Sequence, residues 1–215
     1  MAKKNLILVG GGGHCKSCID VIEAEERFKI AGIVDIEDKL RQNVLDYEVI
    51  ACDKALPKLV KCYKYFLITI GHIKSPCARV NKFEYLKQLG AEFPVVISPL
   101  AYVSKRAYIG EGTIIMHKAN VNAHVRIGIN CIVNTAALIE HDVKVGGHCH
   151  ISTGSIVNGG CNIGEKVFIG SNSTIVNNIN IVEETIIGAG AVVTKSIKEE
   201  GIYIGNHARK LNKNE

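Results

Sequence analysis

Tryptophan is absent from this 215-residue chain, proline occurs only 4 times, and aromatic residues make up 6% of the total. The core must therefore be filled by aliphatic side chains. With 21 glycines and so little proline, the chain reads as regular structure with tight turns. No apolar run is long enough to cross a membrane. The run Leu6-Ile7-Leu8-Val9 is too short for the core of a signal peptide, so a cytoplasmic protein is expected. The 8 cysteines should then be reduced thiols, and no zinc ribbon is indicated, because Cys15/Cys18 has metal-type spacing while Cys149/Cys161 does not. Charge is nearly balanced at +5, without the clustered basic face that nucleic-acid binding requires. Much of the excess lies late in the chain, at Lys195, Lys198, Arg209, Lys210 and Lys213. Such a tail suits a small polyanion such as a cofactor phosphate, and equally a merely solvated end.

What is abundant is periodic. From Ile97 to Val193 every sixth residue is isoleucine or valine, seventeen times without an insertion. Two residues before each one the side chain is small (Ala101, Ala119, Cys131, Ala137, Cys149, Ser155, Cys161) or apolar (Val125, Val143, Val167, Ile179). Glycine often follows, as at Gly110, Gly128, Gly146 and Gly164, and is expected to supply turn flexibility. This is the hexapeptide repeat of a parallel β-helix, in which three hexads close a triangular coil of about 18 residues. The Ile/Val side chains stack inside at about 4.8 Å. Cys131, Cys149 and Cys161 fall in the small-residue register and are expected to pack rather than react.

The first ninety residues read differently. A strand at Leu6–Val9 runs into Gly10-Gly11-Gly12-Gly13-His14, followed by a helix from Ser17 to Arg27. Further strands are expected at Ile30–Val34 and Tyr65–Ile70, and a helix at Asn81–Leu89. Alternating strands and helices make a small Rossmann-like α/β domain with a parallel sheet. The glycine loop lies where backbone N–H groups can face an anion, and Asp35 ends the second strand, where a carboxylate can accept a ribose hydroxyl. The dinucleotide fingerprint is incomplete, because Cys15 stands at its third glycine. The expected division is 1–96 for the α/β domain, 97–194 for the β-helix, and 195–215 for a short helix or extended tail capping the solenoid.

Together, the loop Gly10–His14, Asp35, Ile68-Thr69-Ile70-Gly71, Ile97-Ser98-Pro99 and above all Asn134-Thr135-Ala136-Ala137-Leu138-Ile139-Glu140-His141-Asp142 carry a resemblance. The chain resembles bacterial sugar-nucleotide acetyltransferases of the bacillosamine-pathway N-acetyltransferase and sialic acid O-acetyltransferase family. The resemblance covers nearly the whole chain. It implies a left-handed β-helix, acetyl-CoA as co-substrate, a homotrimer, and neither nucleic acid nor membrane as partner. It implies a nucleotide-sugar site at Gly12, Gly13, His14, Asp35 and Gly71. The family's second strand often ends in two acidic residues. Here Ile36 follows Asp35, which leaves UDP, the favoured nucleotide, open to replacement by GDP.

His141 lies two residues after the inward Ile139 and so points outward, as a solvated or a functional residue. Asp142 beside it supplies a carboxylate that can steady the ring. The resemblance implies that His141, with Asp142, is the general base for direct attack of a sugar amine on acetyl-CoA. Gly159 stands one coil above His141 and could offer its N–H to the oxyanion, or simply form a turn with Gly160. By family match His150, Gly159, Ser171 and Ala189 contact the cofactor. Arg209, in Gly205-Asn206-His207-Ala208-Arg209, is placed for the CoA phosphates. No metal site is expected. A zinc-dependent, carbonic-anhydrase-like solenoid using His117, His124, His148 and His207 is the remote alternative, and sialic acid O-acetylation the nearer one.

Overall fold

The computed structural model describes residues 3–211. The first domain is a five-stranded sheet of β1 (Lys4–Val9), β2 (Phe28–Asp35), β3 (Asn43–Val44), β4 (Tyr47–Cys52) and β5 (Tyr65–Ile68), in the order β3-β4-β2-β1-β5. All pairings are parallel except the short β3 against β4. Helices α1 (Gly13–Glu25), α2 (Leu56–Cys62) and α3 (Cys77–Gln88) complete it. Leu6, Ile7, Leu8 and Val9 are buried, as a central parallel strand requires. Sequence reading placed the first helix at Ser17, but it begins at Gly13, inside the glycine loop. The third helix likewise begins earlier, at Cys77, and β5 stops at Ile68. The segment holding β3, β4 and α2 was not anticipated.

The solenoid follows as seventeen two-residue strands, from β6 (Val96–Ile97) to β22 (Val192–Val193), one for each hexad. They stack into three parallel sheets. The first face contains β6, β9 (Ile114–Ile115), β12 (Ile132–Val133), β15 (His150–Ile151), β18 (Phe168–Ile169) and β21 (Ile186–Ile187). The second contains β13 (Leu138–Ile139) and β16 (Ile156–Val157), and the third β14 (Lys144–Val145) and β17 (Asn162–Ile163). Partners are 18 residues apart, as in Leu138↔Ile156 and His150↔Phe168. The inward Ile/Val series and the small-residue register form one continuous core, with Cys131, Cys149 and Cys161 inside it.

The glycines that follow the Ile/Val series serve another purpose than turn flexibility. None of Gly110, Gly128, Gly146 and Gly164 has a positive φ, and a Cβ on any of them would lie 2.5–2.7 Å from the backbone of the next coil. They are there because stacked coils touch at that point. The left-handed position comes two residues later and is filled by asparagine or glycine but also by Lys118, His124, Ala136, Asp142 and Lys166.

Among the described residues the stretch after β22 contains no helix and is extended, the second of the two forms expected. β23 (Ile202–Ile204) pairs parallel with β21, and β24 (Arg209–Lys210) pairs antiparallel with β23, so a hairpin extends the first face. Lys213 lies outside the described residues.

The first domain is seated on the first three strands of that face. Leu6, Leu8, Cys18 and Ile22 pack against Val96, Ile114, Met116 and Ile132. Polar struts add to this contact. Ser98 Oγ lies 2.6 Å from His117 Nδ1, and His117 Nε2 lies 2.7 Å from Asp20 of α1. Arg79 of α3 is fully buried and donates to the carbonyls of Ile68 and Ile70 at the end of β5 and of Asn130 in the solenoid.

Candidate active site

The junction of the two domains forms a cleft of about 610 Å³. Three segments line it: Gly13, His14 and Ser17 from the start of α1; Gly71, His72 and Ile73 from the loop after β5; and Asn134, Thr135, His150 and Thr153 from the solenoid. The fold brings these together simply. A parallel sheet presents the carboxyl ends of its strands, with the loops after β1 and β5, on one side. Seating the domain on the first face sets those loops over the corner where that face meets the second.

Asp35 does not line the cleft. One carboxylate oxygen accepts the Gly11 N–H and the Lys39 ammonium, both at 2.8 Å, and the other accepts the Ile36 N–H at 2.7 Å. Burial pushes this carboxyl up, but the bonds from Lys39, Ile36 and Gly11 outweigh it and hold it below the usual range. These bonds tie the end of β2 to the glycine loop. Gly12 and Gly13 are exposed, with open space where a side chain would be. Gly71 packs against His14, where an added Cβ would lie 3.2 Å from that of the histidine.

The cleft histidines are neutral. Burial, reinforced by Arg79 and His150, lowers His14 to about 3. Burial and then His150 lower His72 to about 3. Burial lowers His150 to about 4, against a partial opposing effect of its bond to His72. The bonds of His150 fix its tautomer: Nδ1–H donates to the His72 carbonyl at 2.7 Å, and Nε2 accepts from Asn134 Nδ2 at 3.1 Å. Burial pushes the Cys18 thiol up, so it remains protonated and donates to His14 Nε2 at 3.4 Å.

His141 is elsewhere. It follows β13 at the corner between the second and third faces, whereas the cleft lies at the corner between the first and second. It is exposed, with Nδ1 at 2.8 Å from Asp142 Oδ2. Asp142 is in the left-handed conformation, φ 62°, which turns its side chain back beside the ring. Glu140 braces the corner by accepting from Asn122 at 2.9 Å. The ring lies over Gly159, where a Cβ would stand 2.8 Å from Cε1 and Nε2. The Gly159 N–H meets no acceptor among the described residues.

Residues 5–83 match the family described as PglD N-terminal domain. Over 98% of both chains, the structure matches perosamine N-acetyltransferase from Caulobacter crescentus, solved as a histidine mutant with CoA and GDP-perosamine, at 31% identity and a TM-score of 0.91. The acetyltransferase domain of PglB from Neisseria gonorrhoeae, solved with acetyl coenzyme A, matches at 30% identity and a TM-score of 0.89, covering 98% of this chain and 100% of that one. The chain belongs to this family of hexapeptide-repeat sugar N-acetyltransferases. UDP-N-acetylbacillosamine N-acetyltransferase of Bacillus subtilis is 33% identical over 115 residues, which is 53% of this chain and about half, 51%, of that protein.

The residues expected to contact the cofactor, His150, Gly159, Ser171, Ala189 and Arg209, lie at separate places on the chain. Thr135, Thr153, Ser171 and Ala189 follow one another at eighteen-residue intervals along the cleft corner, with Ser171 Oγ 2.9 Å from Ser152 Oγ. His150 belongs to the cleft itself, Gly159 to the His141 corner, and Arg209 is exposed on β24. Asn134 and Thr135 stood inside the motif that carries the resemblance, yet their place in the cleft was not read. Their signal was their position just past an inward valine, at the same corner as Thr153. No group of three or more His, Cys, Asp or Glu among the described residues is arranged to hold a metal ion. His117 is tied to Ser98 and Asp20, and His148 to Asn130.

Proposed function

We propose that this enzyme transfers the acetyl group of acetyl-CoA to the amine of a nucleotide-linked 4-amino-dideoxy sugar, with His141 as general base. The observation that carries this reading is the state of the His141 ring. Nδ1–H donates to Asp142, so the lone pair is on the exposed Nε2, over Gly159. In the step envisaged, the amine lone pair attacks the thioester carbonyl, Nε2 takes the amine proton, and CoA leaves as its thiolate. The uncommitted Gly159 N–H is suited to the oxyanion. The nucleotide sugar is held against Gly12, Gly13, His14 and Gly71, while Asp35 shapes the loop. CoA runs along Thr153, Ser171 and Ala189, with Arg209 available to its phosphates.

The two corners of one chain do not meet, so the site needs His141 from a neighbouring copy, and a homotrimer supplies it. The chain works in the cytoplasm, where nucleotide sugars and acetyl-CoA are available. UDP is the first candidate nucleotide. GDP is the second, favoured by the bound GDP-perosamine of the Caulobacter relative. The test is acetyl transfer over UDP- and GDP-linked 4-amino sugars and free sialic acid, with light scattering of the same preparation. N-acetylation of a nucleotide sugar by a trimer is expected. Activity on free sialic acid alone overturns the substrate, and full turnover by a stable monomer overturns the shared site.

A further inference from the structure

The cleft histidines differ in how their ring nitrogens are satisfied. Both nitrogens of His150 are bonded within the protein, and His14 accepts from Cys18. His72 is only 6% exposed, yet neither Nδ1 nor Nε2 has a partner among the described residues. Its position is nonetheless well determined. Its carbonyl accepts from His150, and the carbonyl of Ile70 just before it accepts from Arg79. Its ring packs edge-on against His150 at 5.4 Å and Phe168 at 6.4 Å between centroids. Packing encloses the ring, and its hydrogen-bonding atoms are closed to solvent and left uncommitted. A buried polar atom left unpaired is destabilising, whereas a phenyl ring in the same slot would leave nothing unpaired.

The imidazole lines the cleft beside Gly13, His14 and Asn134, and also forms a wall of a smaller cavity of about 250 Å³ with Phe168, Lys74 and Lys166. We propose that His72 is a further substrate-binding residue: both ring nitrogens are closed to solvent as the chain stands, and a turn of the side chain toward the cleft brings its N–H or its lone pair onto a neutral hydroxyl or amide group of a ligand there. This rests on the reading of the cleft given above. The chemistry follows from the neutral state of the ring, which offers one N–H and one lone pair. A neutral ring offers a phosphate only one donor and leaves its lone pair without a proton to accept, and burial with His150 and Arg79 nearby disfavours the imidazolium. Hydroxyl and amide groups match a neutral imidazole in both directions. Two sources carry that chemistry: the hydroxyls and amides of the sugar, and the amides of the pantetheine arm.

The test uses full-length His72→Phe and His72→Gln. Thermal melting is measured without ligand, and calorimetric titrations use UDP- and GDP-linked 4-amino sugars and, separately, acetyl-CoA. The Phe variant is expected to melt at or above wild type and to bind one of the two ligand classes about 10-fold more weakly, with Gln recovering most of the loss. Weaker sugar binding assigns the sugar as the source, and weaker acetyl-CoA binding the pantetheine arm. Equal binding of both by the Phe variant overturns the proposal. So does a Phe variant melting well below wild type, which would mean that the nitrogens are already satisfied inside the protein. Should His72→Phe not fold, His72→Leu is read the same way. A wild type that binds neither class overturns the reading of the cleft and this proposal together.

Discussion

At the corner after β13, His141 stands in solvent with a carboxylate at one nitrogen and the other free. In the cleft, His14, His72 and His150 are shut between two domains, close to a buried guanidinium and with no bonded carboxylate among the described residues. The same side chain is given two opposite conditions. The exposed ring has Nδ1 on a carboxylate and leaves Nε2 open to an incoming group. The enclosed rings are held neutral, as fixed donors and acceptors. The difference teaches which histidines suit proton transfer and which suit recognition, and the two settings can be separated by experiment.

The largest separation is expected from His141→Ala. Turnover on the best nucleotide sugar should fall by roughly 10²–10⁴, the usual worth of a general base. The melting temperature should hold, because the ring faces outward and the Ile/Val stack is untouched. Steady-state kinetics and a thermal melt on one sample decide it. Near-wild-type turnover would put the base elsewhere.

Arg79→Met should show the opposite profile, with stability falling first. Three backbone carbonyls, those of Ile68, Ile70 and Asn130, lose their donor at the domain junction. A loss of roughly 3 kcal/mol in chemical denaturation is expected. A loss under 1 kcal/mol would show that the guanidinium holds the two domains together less than its bonds suggest.

These two residues also mark what the sequence could and could not tell. His141 was legible because a six-residue period fixes where each side chain points, so one inward isoleucine locates its neighbours. Arg79 was not, since an arginine on a helix normally faces solvent and nothing local records that the solenoid covers it. The seating of the first domain had a signal that went unread. Val96, Ile114 and Ile132, eighteen apart, are apolar at an outward position, but each precedes an inward Ile or Val and so merges with the core pattern. Asp35 was correctly placed at a strand end, yet its three hydrogen bonds depend on Lys39 and on the exact path of the loop. The repeating glycines were seen, but their reason was not, because contact between coils is a property of stacking and not of one hexad.

Acid should separate the two settings again. The cleft histidines titrate well below the ordinary 6.5 in the folded chain and near it in the unfolded one. The unfolded chain therefore binds more protons as pH falls below 6.5, and stability is highest above that value. The groups facing these rings are Arg79 from α3, Cys18 from α1 and Asn134 and Phe168 from the solenoid. Between pH 6.5 and 5.5 each histidine should remove about 1 kcal/mol, about 3 kcal/mol together. Urea melts across that interval test this, and His150→Phe should flatten the slope. A flat wild-type profile would mean that the rings are charged or solvated.

The smallest effect belongs to Asp142→Asn. The carboxylate lies 2.8 Å from His141 Nδ1, but both side chains are more than 60% exposed. Exposed pairs contribute little, because water screens the charge and holding two side chains together costs entropy. Asparagine keeps the shape and can still accept from Nδ1–H through its amide oxygen, and it tolerates the left-handed backbone at this position. The ring should thus remain over Gly159 with Nε2 free. Turnover is expected to drop by only about 3–10-fold, with the Michaelis constants for both substrates unchanged. A loss as large as that of His141→Ala would mean that the pair is desolvated in the working assembly, with a neighbouring copy closing over this corner. That outcome would move Asp142 from orienting the ring to stabilising its protonated form, and kinetics in rising salt would separate the two, since only an exposed pair is weakened by added ions.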